Sequence, residues 1–192
     1  MRSPARNPFL AAIMLVLGVA RRRRFRAALI GGFALPFHGV QRATGDVDFL
    51  VDAVGSASLH DALLAAGARC LHRTADAANY GPGTSRLSPV DFIFAHRERA
   101  QDMLARAKRG FLRGARRHVP VVDAEGIIGL KLQALVNAPS RRAHEEADIH
   151  ALFAVRGRSL DAEILRDYYR LFDREPELDR LLAEAEKASR GT

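Results

Sequence analysis

The sequence predicts an α+β protein in which a short mixed sheet flanked by helices is followed by a C-terminal helical bundle. Short apolar runs that end at glycine, proline or polar residues are concentrated before residue 95, as expected for strands. After residue 97, apolar residues recur mostly at helical spacing. The chain has 192 residues, of which 48% are hydrophobic and 27% charged, and this composition excludes disordered and fibrous classes.

The expected elements divide the chain near residue 122. Residues 1–122 are expected to form an α/β core and residues 123–192 a helical part, either as one compact unit or as a core domain with a helical lobe. In the core, helices are expected over residues 9–20, 33–39, 59–66 and 97–109, and strands over residues 26–31, 46–51, 68–73, 90–94 and 118–122. The later helices are expected over residues 124–136, 141–155, 161–172 and 177–188.

Local signals mark where several elements begin and end. Asn7 followed by Pro8 is typical of the N-cap and first turn of a helix. Asp123 and Ser159 are the expected N-caps of the helices 124–136 and 161–172. Residues 79–89 contain two glycines and two prolines, so they are expected to form a turn-rich connection.

Three aspartates are candidates for a metal site. Asp46 and Asp48 lie two positions apart in a predicted strand, which places both carboxylates on one face. Asp91 is the only charge in the predicted strand 90–94, where burial without a cation or hydrogen bonds is costly. Such a set of oxygens suits Mg²⁺ or Mn²⁺ and can support an in-line displacement at phosphorus. The alternative for the aspartate pair is a solvated edge strand.

A glycine pair precedes these aspartates. The strand 26–31 runs into Gly31 and Gly32, directly before a helical stretch. Glycines at such a position let backbone N–H groups approach a phosphate, and a helix N-terminus adds a favourable dipole. The pair therefore indicates a place for a nucleotide phosphate beside the aspartates.

The stretch from Leu29 to Asp52 resembles a known family. Its G-G-x(13)-D-x-D arrangement, which contains R-x-T-x-D-x-D, is similar to the minimal nucleotidyltransferases of the polymerase-β-like superfamily, in particular the AbiEii-type abortive-infection toxins. The strand V-D-F-I-F supplies Asp91 where the family has its third carboxylate. Residues 129–135 (GLKLQAL) and the segment from Arg141 and Arg142 to Asp148 resemble the family's later motifs, so the likeness covers roughly residues 26–150.

This resemblance implies a polymerase-β-like nucleotidyltransferase fold and the transfer of NMP from an NTP to an acceptor hydroxyl, with release of pyrophosphate. The implied catalytic residues and metal ligands are Asp46, Asp48 and Asp91, with Mg²⁺ or Mn²⁺ as the cofactor. The implied nucleotide-binding residues are Gly31, Gly32, Arg42, Thr44, Lys131 and Asp148, with Lys131 on the triphosphate. For Lys131, the alternative is a surface lysine whose stem covers the core.

The resemblance also implies classes of acceptor and partner. The acceptor would be RNA, such as a tRNA 3′ end, or a Ser or Tyr hydroxyl of a protein, and a toxin of this kind would have a cognate antitoxin. Two alternatives stay open: a catalytically degenerate nucleotide sensor, and a nucleotidyltransferase that modifies a small molecule such as an antibiotic. An acceptor pocket for a cationic drug should be acidic, whereas basic residues follow Asp91 in this chain.

The charged residues favour a phosphate-carrying partner, although only weakly. The 30 Lys and Arg exceed the 22 Asp and Glu by a formal charge of +8, but most of the cations are arginines, so compositional bias contributes. Arg21–Arg24 could line a nucleic-acid groove or end the first helix, where cations suit the helix dipole. A second basic cluster could grip an RNA backbone and contains Arg113, Arg116, Arg117 and His118.

A cytoplasmic location without a membrane partner is expected. The single cysteine, Cys70, has no partner for a disulfide or a zinc site, which points to a reducing compartment. The apolar run at residues 9–20 is too short to span a bilayer. It is similar to a signal-peptide core, but a buried amphipathic first helix is preferred, because Phe9, Ile13 and Leu17 recur at helical spacing.

Overall fold

A computed structural model of the protein describes residues 7–137, 140 and 142–190. The chain divides into two units, the first comprising the described residues up to 34 and residues 42–122. The second unit comprises residues 35–41 together with the described residues from 123 onward. The assignment of separate functional domains to residues 1–122 and 123–192 stays a prediction.

The first unit contains a seven-stranded mixed sheet among the described residues. Its strands are β1 (Ala27–Ile30), β2 (Val47–Asp52), β3 (Arg69–Arg73), β4 (Ala77–Gly81), β5 (Val90–Ala95), β6 (Lys108–Leu112) and β7 (Arg117–Val121), in the order β3-β4-β5-β2-β1-β7-β6. The pairs β2–β5 and β1–β7 are parallel, and the other neighbouring pairs are antiparallel. The predicted mixed sheet is therefore confirmed.

Helices complete both units. Those of the first unit are α1 (Pro8–Arg23), α2 (Gly31–Ala34), α3 (Ser56–Ala65) and α4 (Glu98–Arg106). Those of the second unit are α5 (Ala124–Asn137), α6 (Arg142–Arg156), α7 (Ala162–Arg170) and α8 (Glu175–Arg190). Arg141, with which the predicted helix 141–155 began, lies outside the described residues. The α+β class with a helical C-terminal part is confirmed.

The structure confirms two of the three predicted helix N-caps. The Asn7 side chain accepts hydrogen bonds from the backbone N–H groups of Phe9 and Leu10 at 3.0 and 3.1 Å. The Asp123 side chain accepts one from Gly126 at 2.9 Å. The prediction for Ser159 is wrong, because Asp161 caps α7 by accepting from the next turn.

Two strands were not predicted. Residues 77–81 form β4, so the expected turn-rich connection begins only after Gly81. The predicted helix 97–109 ends at Arg106, and residues 108–112 form β6. Strand β6 consists of two cations followed by Gly110 and two apolar residues, so it has no apolar period of two. Pairing with β7 rather than local propensity decides its conformation.

Aromatic packing fixes the centre of the sheet. Phe49 on β2 and Phe92 on β5 stack with ring centroids 6.0 Å apart, and Tyr80 on β4 meets Phe92 edge-on at 5.8 Å. All three rings are almost fully buried. Their contacts hold β4, β5 and β2 in the register that positions the aspartates.

Close packing explains a glycine in the second unit. A Cβ atom on Gly129 of α5 would lie 2.9 Å from the Tyr168 ring of α7. Glycine at this position lets the two helices approach each other, so one residue of the sequence motif at 129–135 has a packing role.

Among the described residues, no helix has the length and apolarity needed to cross a membrane.

Candidate metal and nucleotide site

The structure brings the three predicted aspartates together. Strands β2 and β5 run parallel with Asp48 directly beside Asp91, and Asp46 immediately precedes β2. One carboxylate oxygen from each of the three lies within 4.8 Å of the others, and all three residues are half-buried. We call this group the acidic triad. The sheet places its members because neighbouring parallel strands in register present paired side chains on one face.

Thr44 fixes the first member of the triad. Its hydroxyl donates a hydrogen bond to the Asp46 carboxylate at 2.7 Å. The same threonine lies against Gly32, where an added Cβ would come within 2.7 Å of the Thr44 hydroxyl. Two sequence-predicted positions, Gly32 and Thr44, are therefore in contact beside Asp46. Arg42 is half-buried two residues before Thr44.

Gly31 lies against the second member. Its φ is +61°, a conformation that disfavours residues with a Cβ. A Cβ atom at this position would lie 2.0 Å from an Asp48 carboxylate oxygen. Glycine is therefore required here for two reasons, backbone conformation and direct contact with Asp48. The Gly-Gly pair and the acidic triad form one site within the first unit.

The donor set fits a divalent cation. Three carboxylates this close repel one another, and a cation between them removes that repulsion. Half-buried carboxylates retain access to solvent, so they can share the metal with substrate oxygens, which Mg²⁺ retains in its coordination shell. Asp46, Asp48 and Asp91 are therefore the residues that could hold the predicted Mg²⁺ or Mn²⁺.

Sequence reasoning missed one neighbour of the triad. Asn79 on β4 lies directly opposite Asp91 on β5 and is half-buried. Sequence reasoning does not find it because the glycines and prolines of residues 79–89 predict a connection. Tyr80, a strand-favouring aromatic residue directly before Gly81, is the signal that could have indicated a strand. Asn79 thus adds an amide to the row that contains Asp91 and Asp48.

Lys131 and Asp148 occur together in the second unit. The Lys131 ammonium lies 2.8 Å from a Glu145 carboxylate oxygen and 2.5 Å from one of Asp148. All three residues are buried, with Lys131 only 6% exposed. The alternative of a surface lysine is therefore wrong. The predicted contact with a triphosphate stays a prediction, and Glu145 is a partner that sequence reasoning did not identify.

Solved structures of similar fold align with most of the chain. The antibiotic-resistance factor ANT(2″)-Ia in solution aligns with 88% of this chain and 94% of its own, at a TM-score of 0.62 and 18% identity. The lincosamide antibiotic adenylyltransferase LnuA with bound lincomycin aligns with 78% of this chain and 99% of its own, at a TM-score of 0.51 and 12% identity.

An antigenic nucleotidyltransferase-like protein from Paracoccidioides brasiliensis gives a third comparison, at a TM-score of 0.54 and 17% identity over 90% of this chain and 91% of its own. The sequence matches no protein-family model and no curated protein. These likenesses are in fold, and the chain therefore has the nucleotidyltransferase fold of the polymerase-β-like kind.

Proposed function

We propose that the protein is a metal-dependent nucleotidyltransferase that moves NMP from an NTP to an acceptor hydroxyl. The observation that carries this proposal is the acidic triad, whose oxygens lie within 4.8 Å of one another beside two glycines. The fold supports the same proposal, because the compared structures that share it are nucleotidyltransferases. A cluster of exposed carboxylates that binds no ligand would not require a glycine at position 31 in contact with Asp48.

In this proposal, Asp46 and Asp48 hold Mg²⁺ or Mn²⁺, and the backbone N–H groups of Gly31 and Gly32 bind the triphosphate next to them. When bound, the metal supplies positive charge that stabilises the developing charge on the phosphate oxygens. Thr44 keeps the Asp46 carboxylate in place through its 2.7 Å hydrogen bond.

Asp91 accepts the proton of the acceptor hydroxyl in the proposed reaction. The hydroxyl oxygen then forms a bond to the α-phosphorus, while the bond from that phosphorus to the bridging oxygen breaks. Pyrophosphate leaves with the bridging electron pair. Asn79, beside Asp91 in the sheet register, is placed to orient the acceptor or the carboxylate.

For the acceptor, we propose RNA, such as a tRNA 3′ end, or a protein hydroxyl. The resemblance of residues 26–150 to AbiEii-type toxins supports this choice and the further proposal of a toxin with a cognate antitoxin. The formal charge of +8 supports RNA over an acidic protein surface. A cytoplasmic location is part of the same proposal.

Label transfer tests the proposed activity. Purified protein is incubated with each α-labelled NTP, Mg²⁺ or Mn²⁺, and total tRNA or a cell lysate. Incorporation of label that disappears in Asp46→Ala and Asp48→Ala supports the proposal, whereas transfer that persists in these variants contradicts it. Binding of NTP with no transfer to any acceptor favours the catalytically degenerate sensor.

A second candidate function is modification of an antibiotic. The observation that favours it is the likeness in fold to two other proteins. ANT(2″)-Ia is an antibiotic-resistance factor, and LnuA is a lincosamide antibiotic adenylyltransferase. The same assay with lincomycin and with tobramycin, which is bound in adenylylated form in a structure of ANT(2″)-Ia, distinguishes the two candidate functions. Transfer to a drug but not to RNA or protein supports the second candidate.

A further inference from the structure

Basic residues that are far apart in the sequence line one groove of the first unit. The groove has a volume of about 900 Å³ and is bordered by α1, β1, α4, β6 and β7. Arg21 reaches it from the end of α1, whereas Arg109, Arg117 and His118 reach it from β6 and β7. We call it the cationic groove. Sequence spacing does not predict this convergence, because it depends on the pairing of β7 with β1.

The cations of this groove differ in availability. Arg26 also lines it, but its guanidinium is bound to the Asp52 carboxylate at 3.0 Å. Arg21, Arg109 and Arg117 are exposed, and no carboxylate of the described chain lies within ion-pairing distance of them. Three guanidiniums held around one depression favour a ligand with several negative charges.

An aromatic pair stands beside these cations. The rings of Phe111 on β6 and His118 on β7 have centroids 5.3 Å apart, and Phe111 is 52% exposed. A large exposed ring on an edge strand loses apolar burial unless something covers it. A positive groove with an adjacent exposed aromatic surface is the arrangement that binds single-stranded nucleic acid, because phosphates contact the cations and bases stack on the rings.

We propose that the cationic groove binds the phosphodiester backbone of single-stranded RNA, with a base stacked on Phe111. Strand β1 connects the groove to the acidic triad, since Ala28 borders the groove and Ile30 pairs with Asp48. Two residues of a β-strand span about 7 Å. This length is close to the distance between neighbouring nucleotides of an extended RNA chain. That the bound strand is the acceptor rests on the proposed function, whereas the binding itself does not.

Binding is measured by fluorescence anisotropy with a labelled 12-nucleotide RNA, without NTP or metal. The test variant is Arg109→Glu with Arg117→Glu, and the matched control is Arg69→Glu with Arg73→Glu. The control makes the same charge change on β3, at the other edge of the sheet. We expect at least a tenfold loss of affinity in the test variant and less than a twofold loss in the control.

The salt dependence of binding and substitution of the aromatic residue test the proposal more sharply. The slope of log affinity against log salt should fall by about 1.4 when two phosphate contacts are lost from a single strand. Phe111→Ala should weaken binding about fivefold or more without changing that slope, as expected for a lost stacking contact. Circular dichroism melts establish that each variant is folded.

Three outcomes would overturn the proposal. They are equal losses in the test and control variants, binding of duplex RNA as tight as that of the single strand, and groove-dependent binding of vesicles containing phosphatidylserine with unaltered binding of RNA. RNA binding by the wild type without label transfer would count against the proposed function and leave the groove assignment standing.

Discussion

Two clusters of charged side chains, one in each unit, show opposite arrangements. In the acidic triad, one carboxylate oxygen from each of Asp46, Asp48 and Asp91 lies within 4.8 Å of the others, and the three residues are half-buried. In the second unit, the Lys131 ammonium lies between the carboxylates of Glu145 and Asp148, and all three residues are buried. The first cluster gathers three carboxylates where solvent can reach them, whereas the second holds a cation between two buried carboxylates.

This difference separates a site for an external ligand from a group that stabilises the fold. Like charges held close together raise the free energy of the protein unless a cation joins them, so the triad indicates a binding site. A buried ion pair with good geometry is already compensated, and removing one partner leaves an uncompensated charge. Substitution of the triad should therefore change activity, whereas substitution of Lys131 should change stability.

The largest effect is expected on activity. Asp48→Asn keeps the shape of the side chain but removes a charge that holds the metal. Metal stabilisation of several kcal/mol corresponds to a loss of about 10³-fold or more in the rate of label transfer. Denaturant unfolding establishes that the variant is folded. A rate within tenfold of the wild type would contradict the proposed role.

The second effect is expected on stability. Lys131→Met leaves two buried carboxylates without their cation, which should lower the free energy of unfolding by about 3 to 5 kcal/mol. Urea unfolding measures it. The triple variant that adds Glu145→Gln and Asp148→Asn should recover most of the loss. If Lys131→Met is fully stable but binds NTP more weakly, the cluster is not structural and the predicted triphosphate contact is favoured.

A third, smaller effect tests the glycine beside the triad. Gly31→Ala adds a Cβ that would lie 2.0 Å from an Asp48 oxygen, at a φ of +61°. The left-handed conformation alone costs about 1 to 2 kcal/mol, and displacement of Asp48 should lower the transfer rate about 10²-fold. Gly45→Ala is the matched control, since no atom lies within 4 Å of its added Cβ. Equal rates for the two variants would refute the contact argument.

The smallest effect concerns pH. Burial alone would raise the pKa of Asp52, but hydrogen bonds and charge from Arg26 outweigh it and hold this pKa below its ordinary value of 3.8. The pair therefore stabilises the fold above about pH 4, and this contribution is lost as the pH falls through the lowered pKa.

Because the Arg26 side chain is 48% exposed, the pair is worth about 0.5 to 1 kcal/mol. Asp52→Asn should lose that much stability at neutral pH and unfold with a weaker pH dependence in the acid range. Urea unfolding between about pH 2.5 and pH 7 measures both, with Asp102→Asn on α4 as an exposed control. An unchanged acid dependence in Asp52→Asn would show that the pair contributes nothing.

Local signals in the sequence predicted much of the fold. Asn7 and Asp123 cap helices as their side chains and neighbours indicated, and the alternation around Asp48 indicated a strand. Tertiary pairing decided what local signals could not. Strand β6 exists because β7 lies beside it, and β4 because β5 does, while Gly81 and Pro82 suggested only a turn.

In the site too, local sequence signals predict part of the arrangement and tertiary pairing decides the rest. The spacing of Asp46 and Asp48 fixed their common face, but the proximity of Asp91 depends on the parallel pairing of β2 with β5. The contact of Gly31 with Asp48 could not be predicted, because sequence patterns contain no distances. Asn79 and Glu145 were missed for that reason also, since their importance comes only from their neighbours in space.

Binding of Mn²⁺ tests the central claim most directly, since it measures the triad without requiring an acceptor. Titrations followed by electron paramagnetic resonance, in the presence of a non-hydrolysable NTP, compare the wild type with Asp48→Asn, Asp91→Asn and Lys131→Met. We predict that the two triad variants lose at least tenfold in Mn²⁺ affinity, whereas folded Lys131→Met retains wild-type affinity. Unchanged Mn²⁺ binding in Asp48→Asn and Asp91→Asn would contradict the account.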